Sequence, residues 1–341
     1  LFAPRDTWMF NPDPRRGWGE KGDFGTQRYV AENPPHGAVF SYHLPEGLQT
    51  LGDRRREEEA RKQKAGEDTP YPSWERLRRE DREEAPGIML TIRDSAGEVV
   101  RRLAGPADKG FHRVAWDMRL PAPDPVELAA DADRSPWEDD PAGPMVLPGR
   151  YTVTLSKRVE GRYEDIASPQ TVVLKPMYTG GLVAEDRAGL LDFQQRTAEL
   201  YRAVLGADRA AGEIESRIEH LLKAVTETPG AGEAQAGALR ALRSRMQDLR
   251  VQLNGDRTVT SRNEPAPLAL RSRVGRIVNG SWGSQSEAGG TFRDSYAVAA
   301  GQFPGVLDEL RVVAAELERI EQALEAAGAP WTPARIPDWR P

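Results

Sequence analysis

At 341 residues the chain is long enough for two or three domains with separate cores, and a charged content of 29% gives it the surface of a water-facing protein. Its formal net charge of −6 excludes the basic face that phosphate neutralisation demands, so no nucleic-acid partner is expected. Cysteine is absent, which removes disulfides, thiolate zinc sites and Cys nucleophiles, and no run approaches the ~18 apolar residues of a membrane span.

Leu1 is not a Met, and the residues after it lack a charged n-region with an apolar h-region. The expectation is that something upstream has been removed: a signal peptide, a longer N-terminal domain, or residues lost to an artificial cut. Residues 1–37 are rich in Pro, Gly, Arg and aromatics (Trp8, Phe10, Trp18, Phe24, Tyr29) and show little periodicity. They read as an extended arm that docks through its aromatic side chains. Ala38 to Leu44 alternates and reads as a first strand.

An insertion over 48–86 comes next, and its part from Asp53 to Glu84 holds 10 Lys/Arg and 11 Asp/Glu, so the two signs nearly cancel. Arg54 to Lys64 reads as a solvated helix, with Glu57 and Arg61 one turn apart. A second helix starts after Ser73 as N-cap, with Arg76 where a capping box would have Glu. A mixed-sign helix pair is too polar to bury itself and reads as a solvated excursion or a salt-sensitive contact arm.

Strands are predicted at 88–94, 98–103, 111–118, 150–157 and 169–174, with Ser95-Ala96-Gly97 as a tight turn. Alternation over 111–118 puts His112, Val114, Trp116 and Met118 on one face and Phe111, Arg113, Ala115 and Asp117 on the other. The Pro- and Asp-rich stretch 119–148 reads as a long surface loop.

After Tyr178 the period changes. Leu190, Phe193, Thr197, Leu200, Val204, Ala211, Ile214, Ile218, Leu221 and Val225 mark a long amphipathic helix, ended by Thr228-Pro229-Gly230-Ala231-Gly232. Leu239, Leu242, Met246, Leu249 and Leu253 mark a second helix, antiparallel to the first. Residues 255–292 read as irregular. A third helix carries Phe303, Leu307, Leu310, Ala314, Leu317, Ile320 and Leu324, with Pro304 starting or kinking it. Residues 328–341 form an extended tail with Trp331 and Trp339.

Two resemblances join these elements. Asp94-Ser-Ala-Gly97, Val99 to Leu103, Gly110-Phe-His112, Trp116-Asp117, Pro148-Gly149 and Tyr151 resemble the immunoglobulin-like domain of flagellar hook-capping and secretion-sorting proteins; the insertion at 119–147 departs from it. Leu1-Phe-Ala-Pro4, Asn33 to Ala38, Asn263-Glu-Pro265, Gly275-Arg-Ile277 and Gly328 to Pro333, in that order, are similar to the C-terminal region of bacterial BNR-repeat, sortilin-like β-propeller proteins, often labelled glycosyl hydrolases. That resemblance implies an exported protein whose propeller precedes residue 1. It carries no catalytic residue into this chain.

The fold expected is therefore α+β and multidomain: an immunoglobulin-like β-sandwich over 38–178 with a charged helical insertion, then an antiparallel three-helix bundle over 179–327. Patterns that suggest chemistry are each outweighed by a structural reading. Gln285 to Phe292 approximates the Asp box of propeller blades with Gln for Ser and Glu for Asp. Asp131, Asp133 and Ser135 have calcium-loop spacing, but Pro136 and Ala142 stand where Gly and Glu are needed. His112 and Asp117 fall on opposite faces of one strand, and His36, His43 and His220 lack metal-ligand spacing. No catalytic, cofactor or metal residue is assigned.

The expected function is a non-enzymatic, periplasmic or extracellular structural module. Its partner is expected to be a protein, with a membrane complex met from the periplasmic side as one setting, and the candidate contacts are Trp8, Trp18, Trp74, Trp331 and Trp339 with the charged insertion. The alternatives are an accessory part of a glycan- or peptide-acting hydrolase, whose catalytic propeller lies upstream, and a carbohydrate-binding module.

Overall fold

A computed structural model describes residues 1–11, 34–126, 141–177, 183–337 and 339. They form a mixed α+β protein that divides into two compact units. One comprises Leu1–Pro121 and Met145–Val183, the other Ala122–Pro144 and Ala184–Pro341.

The first unit holds the strands β1 (Thr7–Met9), β2 (Ala38–Leu44), β3 (Gly87–Arg93), β4 (Val99–Gly105), β5 (Gly110–Trp116), β6 (Gly149–Val159), β7 (Arg162–Asp165) and β8 (Gln170–Pro176), with α1 (Leu51–Ala65) and α2 (Trp74–Arg82) between β2 and β3. One sheet runs β1-β8-β6-β3-β4, with β7 also on β6; β2 and β5 form a second. All pairings are antiparallel except β1 with β8.

Alternation explains the core. Ala38, Phe40, Tyr42 and Leu44 of β2 are buried, as are Ile88, Leu90 and Ile92 of β3 and Tyr151, Val153 and Leu155 of β6. With Val172, Leu174, Trp116 and Met118 they make one apolar cluster fed by both sheets. Polar atoms inside it are satisfied locally: Trp116 Nε1 donates to the Arg119 carbonyl at 3.0 Å, Tyr42 Oη to that of Pro106 at 2.7 Å and Tyr151 Oη to that of Leu147 at 2.7 Å. Burial pushes both tyrosine hydroxyls up to about 12. At Gly37, with φ +105°, an added Cβ would stand 1.9 Å from the Trp116 carbonyl oxygen, so only glycine closes the β2–β5 pair there.

The structure adds to the sequence reading in this unit. The extended arm carries a strand: β1 adds to the sheet edge and Met9 enters the core. A strand absent from the sequence reading, β7, comes after a two-residue turn in which Glu160 (φ 50°) and Gly161 (φ 74°) are both left-handed. Its Arg-Tyr-Glu-Asp sequence is exposed throughout and has no apolar alternation to announce it. The 119–148 stretch is not wholly a surface loop: Arg119 bridges to Met145, and Val146 is buried and donates to the Met118 carbonyl.

The second unit is helical: α3 (Arg187–Glu227), α4 (Glu233–Asn254), α5 (Arg257–Thr260), α6 (Leu270–Ser281) and α7 (Gly290–Ala326). Cross-helix contacts fix the directions. Asp208 meets Arg250 while Glu219 meets Arg243, so α4 opposes α3. Gln194 donates to the Ser281 carbonyl while Asp208 meets Arg271, so α6 also opposes α3. Phe193 packs on Tyr296 while Arg217 pairs with Glu321, so α7 runs with α3. The result is three columns rather than three helices. The 41-residue α3, about 60 Å long, is matched on one side by α4 and then α6, end to end in register.

Residues 255–292, expected to be irregular, instead contain α5, α6 and the start of α7. Leu270, Val274, Ile277 and Val278 of α6 are buried at helical steps, yet Asn-Glu-Pro and Gly-Ser-Trp-Gly on either side dominated the sequence pattern. Asp208 ties the broken column to α3, accepting from Arg250 and Asn254 of α4 and from Arg271 of α6. Pro304 lies inside α7, which begins at Gly290; it does not start the helix. The buried row of α7 is Ala299, Phe303, Val306, Leu310, Val313, Leu317, Glu321 and Leu324. Leu307, Ala314 and Ile320, expected in that row, flank it half-buried. The 3-4 rhythm is that of helices packed nearly along one another.

Candidate interaction surface

The charged insertion folds as an antiparallel helical hairpin. Thr50 caps α1 by accepting from the Asp53 amide at 3.0 Å, and the Asp53 carboxylate accepts from the Thr50 amide at 3.2 Å. That reciprocal box starts the helix at Leu51, ahead of the expected Arg54. Ser73 caps α2 as the sequence implied, accepting from the Arg76 amide at 3.3 Å.

Neither helix contains a buried residue. Charge holds the pair together. Arg55 places Nε 2.8 Å from Glu80 Oε1 and Nη2 2.9 Å from Oε2, and gives Nη1 to Glu59 at 3.0 Å. The Glu83 carboxylate accepts from the Leu51 amide at 2.6 Å, and Gln49 donates to Glu57 at 2.7 Å. Hydrogen bonds from Arg55 hold the Glu80 carboxyl below its ordinary range, and Lys62 does the same for Glu58. Thr50 and Arg56 hold Asp53 down to about 2.

Contacts run 51 to 83, 55 to 80 and 58 to 76, so the hairpin ends beyond residue 58 on one side and 76 on the other. That distal part carries Tyr71 and Trp74. Their rings meet edge to face at 5.8 Å, yet the residues remain 75% and 68% exposed. Two large aromatic side chains thus stand at the end of a hairpin that has no core for them.

The other expected contacts are scattered. Trp8 sits on edge strand β1 opposite Lys175, exposed. Trp331 is exposed and donates its Nε1 to the Arg335 carbonyl at 2.8 Å. Trp339 is exposed, and Trp18 lies outside the described residues. Within the first unit, the rings of Trp8 and Trp74 do not meet.

Two features escaped the sequence reading. Phe2 stacks on Phe111 at 6.1 Å, and His43 packs on the same ring at 4.5 Å, so an aromatic group stands on the outer face of the β2–β5 pair. The alternation over 111–118 had already turned Phe111 outward. The tail is held by Arg335 rather than by its tryptophans: its guanidinium binds Glu325 and lies 3.8 Å from Glu321. Glu321 is only 1% exposed and receives both Nε and Nη2 of Arg217, at 2.9 and 2.6 Å. A Glu in step with Leu317 and Leu324 was the available signal.

The patterns weighed for chemistry have structural employment. His112 bonds the Asp108 carbonyl through Nε2 at 2.7 Å and packs beside Tyr42, while Asp117 accepts from the Arg119 amide at 3.0 Å. His36 packs on Phe10 at 4.9 Å; burial, with Arg119 nearby, lowers its pKa. Gln285 to Phe292 leads into α7, with Gly289 as its N-cap, and is not a turn between strands. Asp131, Asp133 and Ser135 lie outside the described residues. Among the described residues no group of three or more His, Asp or Glu is arranged to hold a metal ion, and no helix is long and apolar enough to cross a membrane.

Compared with known proteins, the chain matches no protein-family model, no curated protein and no solved structure.

Proposed function

We propose that this chain is a non-enzymatic, extracytoplasmic structural module that docks on a protein assembly through the α1–α2 arm. One observation carries the proposal: Tyr71 and Trp74 stand exposed at the end of a hairpin that buries nothing of its own. Tryptophan and tyrosine dominate binding energy where a partner covers them, and two together on a protrusion make a compact anchor. The extracytoplasmic setting, and the place as the C-terminal part of a propeller protein or as an accessory subunit, rest on the sequence resemblance.

The first unit is read more finely as an immunoglobulin-like sandwich. Its two sheets share one core, and β2 pairs with β5 while β8, β6, β3 and β4 neighbour one another in the other sheet. That is the division of strands B and E from G, F, C and C′. Tyr151, near the start of β6, hydrogen-bonds back to the Leu147 carbonyl, the geometry of a tyrosine corner, and Trp116 packs on its ring at 5.3 Å. Such a sandwich is a rigid base from which an insertion can project.

The test is affinity capture from native membranes and from soluble extract, comparing the wild type with a Tyr71→Ser/Trp74→Ser variant of equal thermal stability. The expected result is a stoichiometric partner retained by the wild type and lost by the variant. Equal recovery by both, or turnover of a glycan or peptide by the purified chain, would overturn the proposal.

A further inference from the structure

The arm has a second asymmetry, in charge. Arg55 of α1 engages Glu59 and, across the hairpin, Glu80 of α2, while Arg76 of α2 faces α1 and engages Glu58 and Glu80. Arg78, Arg79 and Arg82 are exposed and engage no described residue. Trp74, Arg78 and Arg82 recur at four-residue steps, so they form a column on the side of α2 away from α1. Glu75 and Asp81 flank this column and are also exposed.

We infer that this face of α2 receives an acidic amphipathic helix of a partner protein. This rests on the reading of the arm as an interface and specifies the chemistry of what it meets. Successive arginines of the column are separated along the axis by about 6 Å, one helical turn plus a fraction. Carboxylates four residues apart on a partner helix have the same separation, and each guanidinium matches one carboxylate in a planar fork. One turn further along, an apolar partner residue meets the face of Trp74, with Tyr71 beside it. Glu75 and Asp81 disfavour a continuous array of phosphates while leaving discrete carboxylate positions at Arg78 and Arg82.

Binding of immobilised poly(Glu,Tyr) copolymer, poly-glutamate and phosphatidylserine vesicles tests this on the full chain. Two charge-reversed variants are compared with the wild type: Arg78→Glu/Arg82→Glu, and Arg61→Glu/Lys64→Glu, which makes the same change in net charge on α1. The expected result is copolymer binding by the wild type that weakens about tenfold or more in the α2 variant, changes little in the α1 variant, and declines with added salt. Equal weakening in both variants, no copolymer binding by the wild type, or preferential binding to the vesicles overturns the inference. Affinity capture of the native partner separates the two levels. Loss with Tyr71→Ser/Trp74→Ser but not with Arg78→Glu/Arg82→Glu sinks the acidic helix and keeps the arm; loss with neither sinks both.

Discussion

Two helical regions of this protein obey the same local rules and are stabilised by different forces. In the bundle, Leu239, Leu242, Met246, Leu249 and Leu253 of α4 are all buried, and capping only trims the ends. In the arm, α1 and α2 bury nothing and rely on the Thr50–Asp53 box, the Ser73 cap and the Arg55–Glu80 fork. Burial is proportional to area and is not screened by salt, whereas ion pairs at a surface are weak and screened. The contrast shows which side chains are committed to cohesion. Apolar residues in the bundle are; Tyr71 and Trp74 in the arm are not.

The largest effect that sharpens this contrast is a core truncation. Ile218→Ala or Leu242→Ala, both at fully or nearly fully buried positions, should cost about 2–5 kcal/mol in denaturant unfolding. Leu77→Ala in the arm should cost well under half of that. Next comes the one charge placed in the bundle's apolar row. Glu321→Gln should cost about 2 kcal/mol, less than a fully orphaned buried charge, because Arg217 keeps some access to water. Arg335→Ala should free the tail to proteases with little loss of global stability.

In the arm, Arg55→Ala should leave the global unfolding midpoint nearly unchanged while amide exchange over α1 and α2 accelerates. The arm should also respond to pH on its own. Asp53 titrates at about 2 in place of 3.8, so its contribution is complete above 3.8 and is lost as pH falls through about 2. Amide and carboxyl NMR signals of α1 should therefore stay native from neutral pH to about 4 and shift below it; loss of α1 near pH 6 would break the charge-held account. The smallest effect expected is that of Trp74→Ser, within about 0.5 kcal/mol of wild type, despite the size of the side chain removed.

Sequence periodicity revealed the elements that bury a face. β2 was legible to the residue, because Phe40, Tyr42 and Leu44 alternate with Val39, Ser41 and His43. The α3 row was legible too, and its one long gap is filled by the small Ala207, which periodicity in large residues cannot register. Two elements were missed for different reasons: β7 has no apolar face, whereas α6 buries one but is short and flanked by turn residues. The arm's helices were readable because caps and charge spacing are local signals, although the Thr50 cap starts α1 ahead of Arg54 and Glu57 bonds Gln49 rather than the expected Arg61. Of its exposed aromatics, Trp74 was named as a candidate contact and Tyr71 was not, because exposure depends on what the rest of the chain leaves uncovered. The tail's dependence on Arg335 was likewise invisible, since its partners Glu321 and Glu325 sit on another element.

The most direct measurement places the photo-cross-linker p-benzoylphenylalanine at position 74 in the native host, with position 239 in the bundle core as control. Exposed Trp74 at an interface predicts one discrete intermolecular adduct from position 74 and only intramolecular products from position 239. An absence of intermolecular adducts from position 74, in cells where the protein is folded and at its normal abundance, would contradict the account.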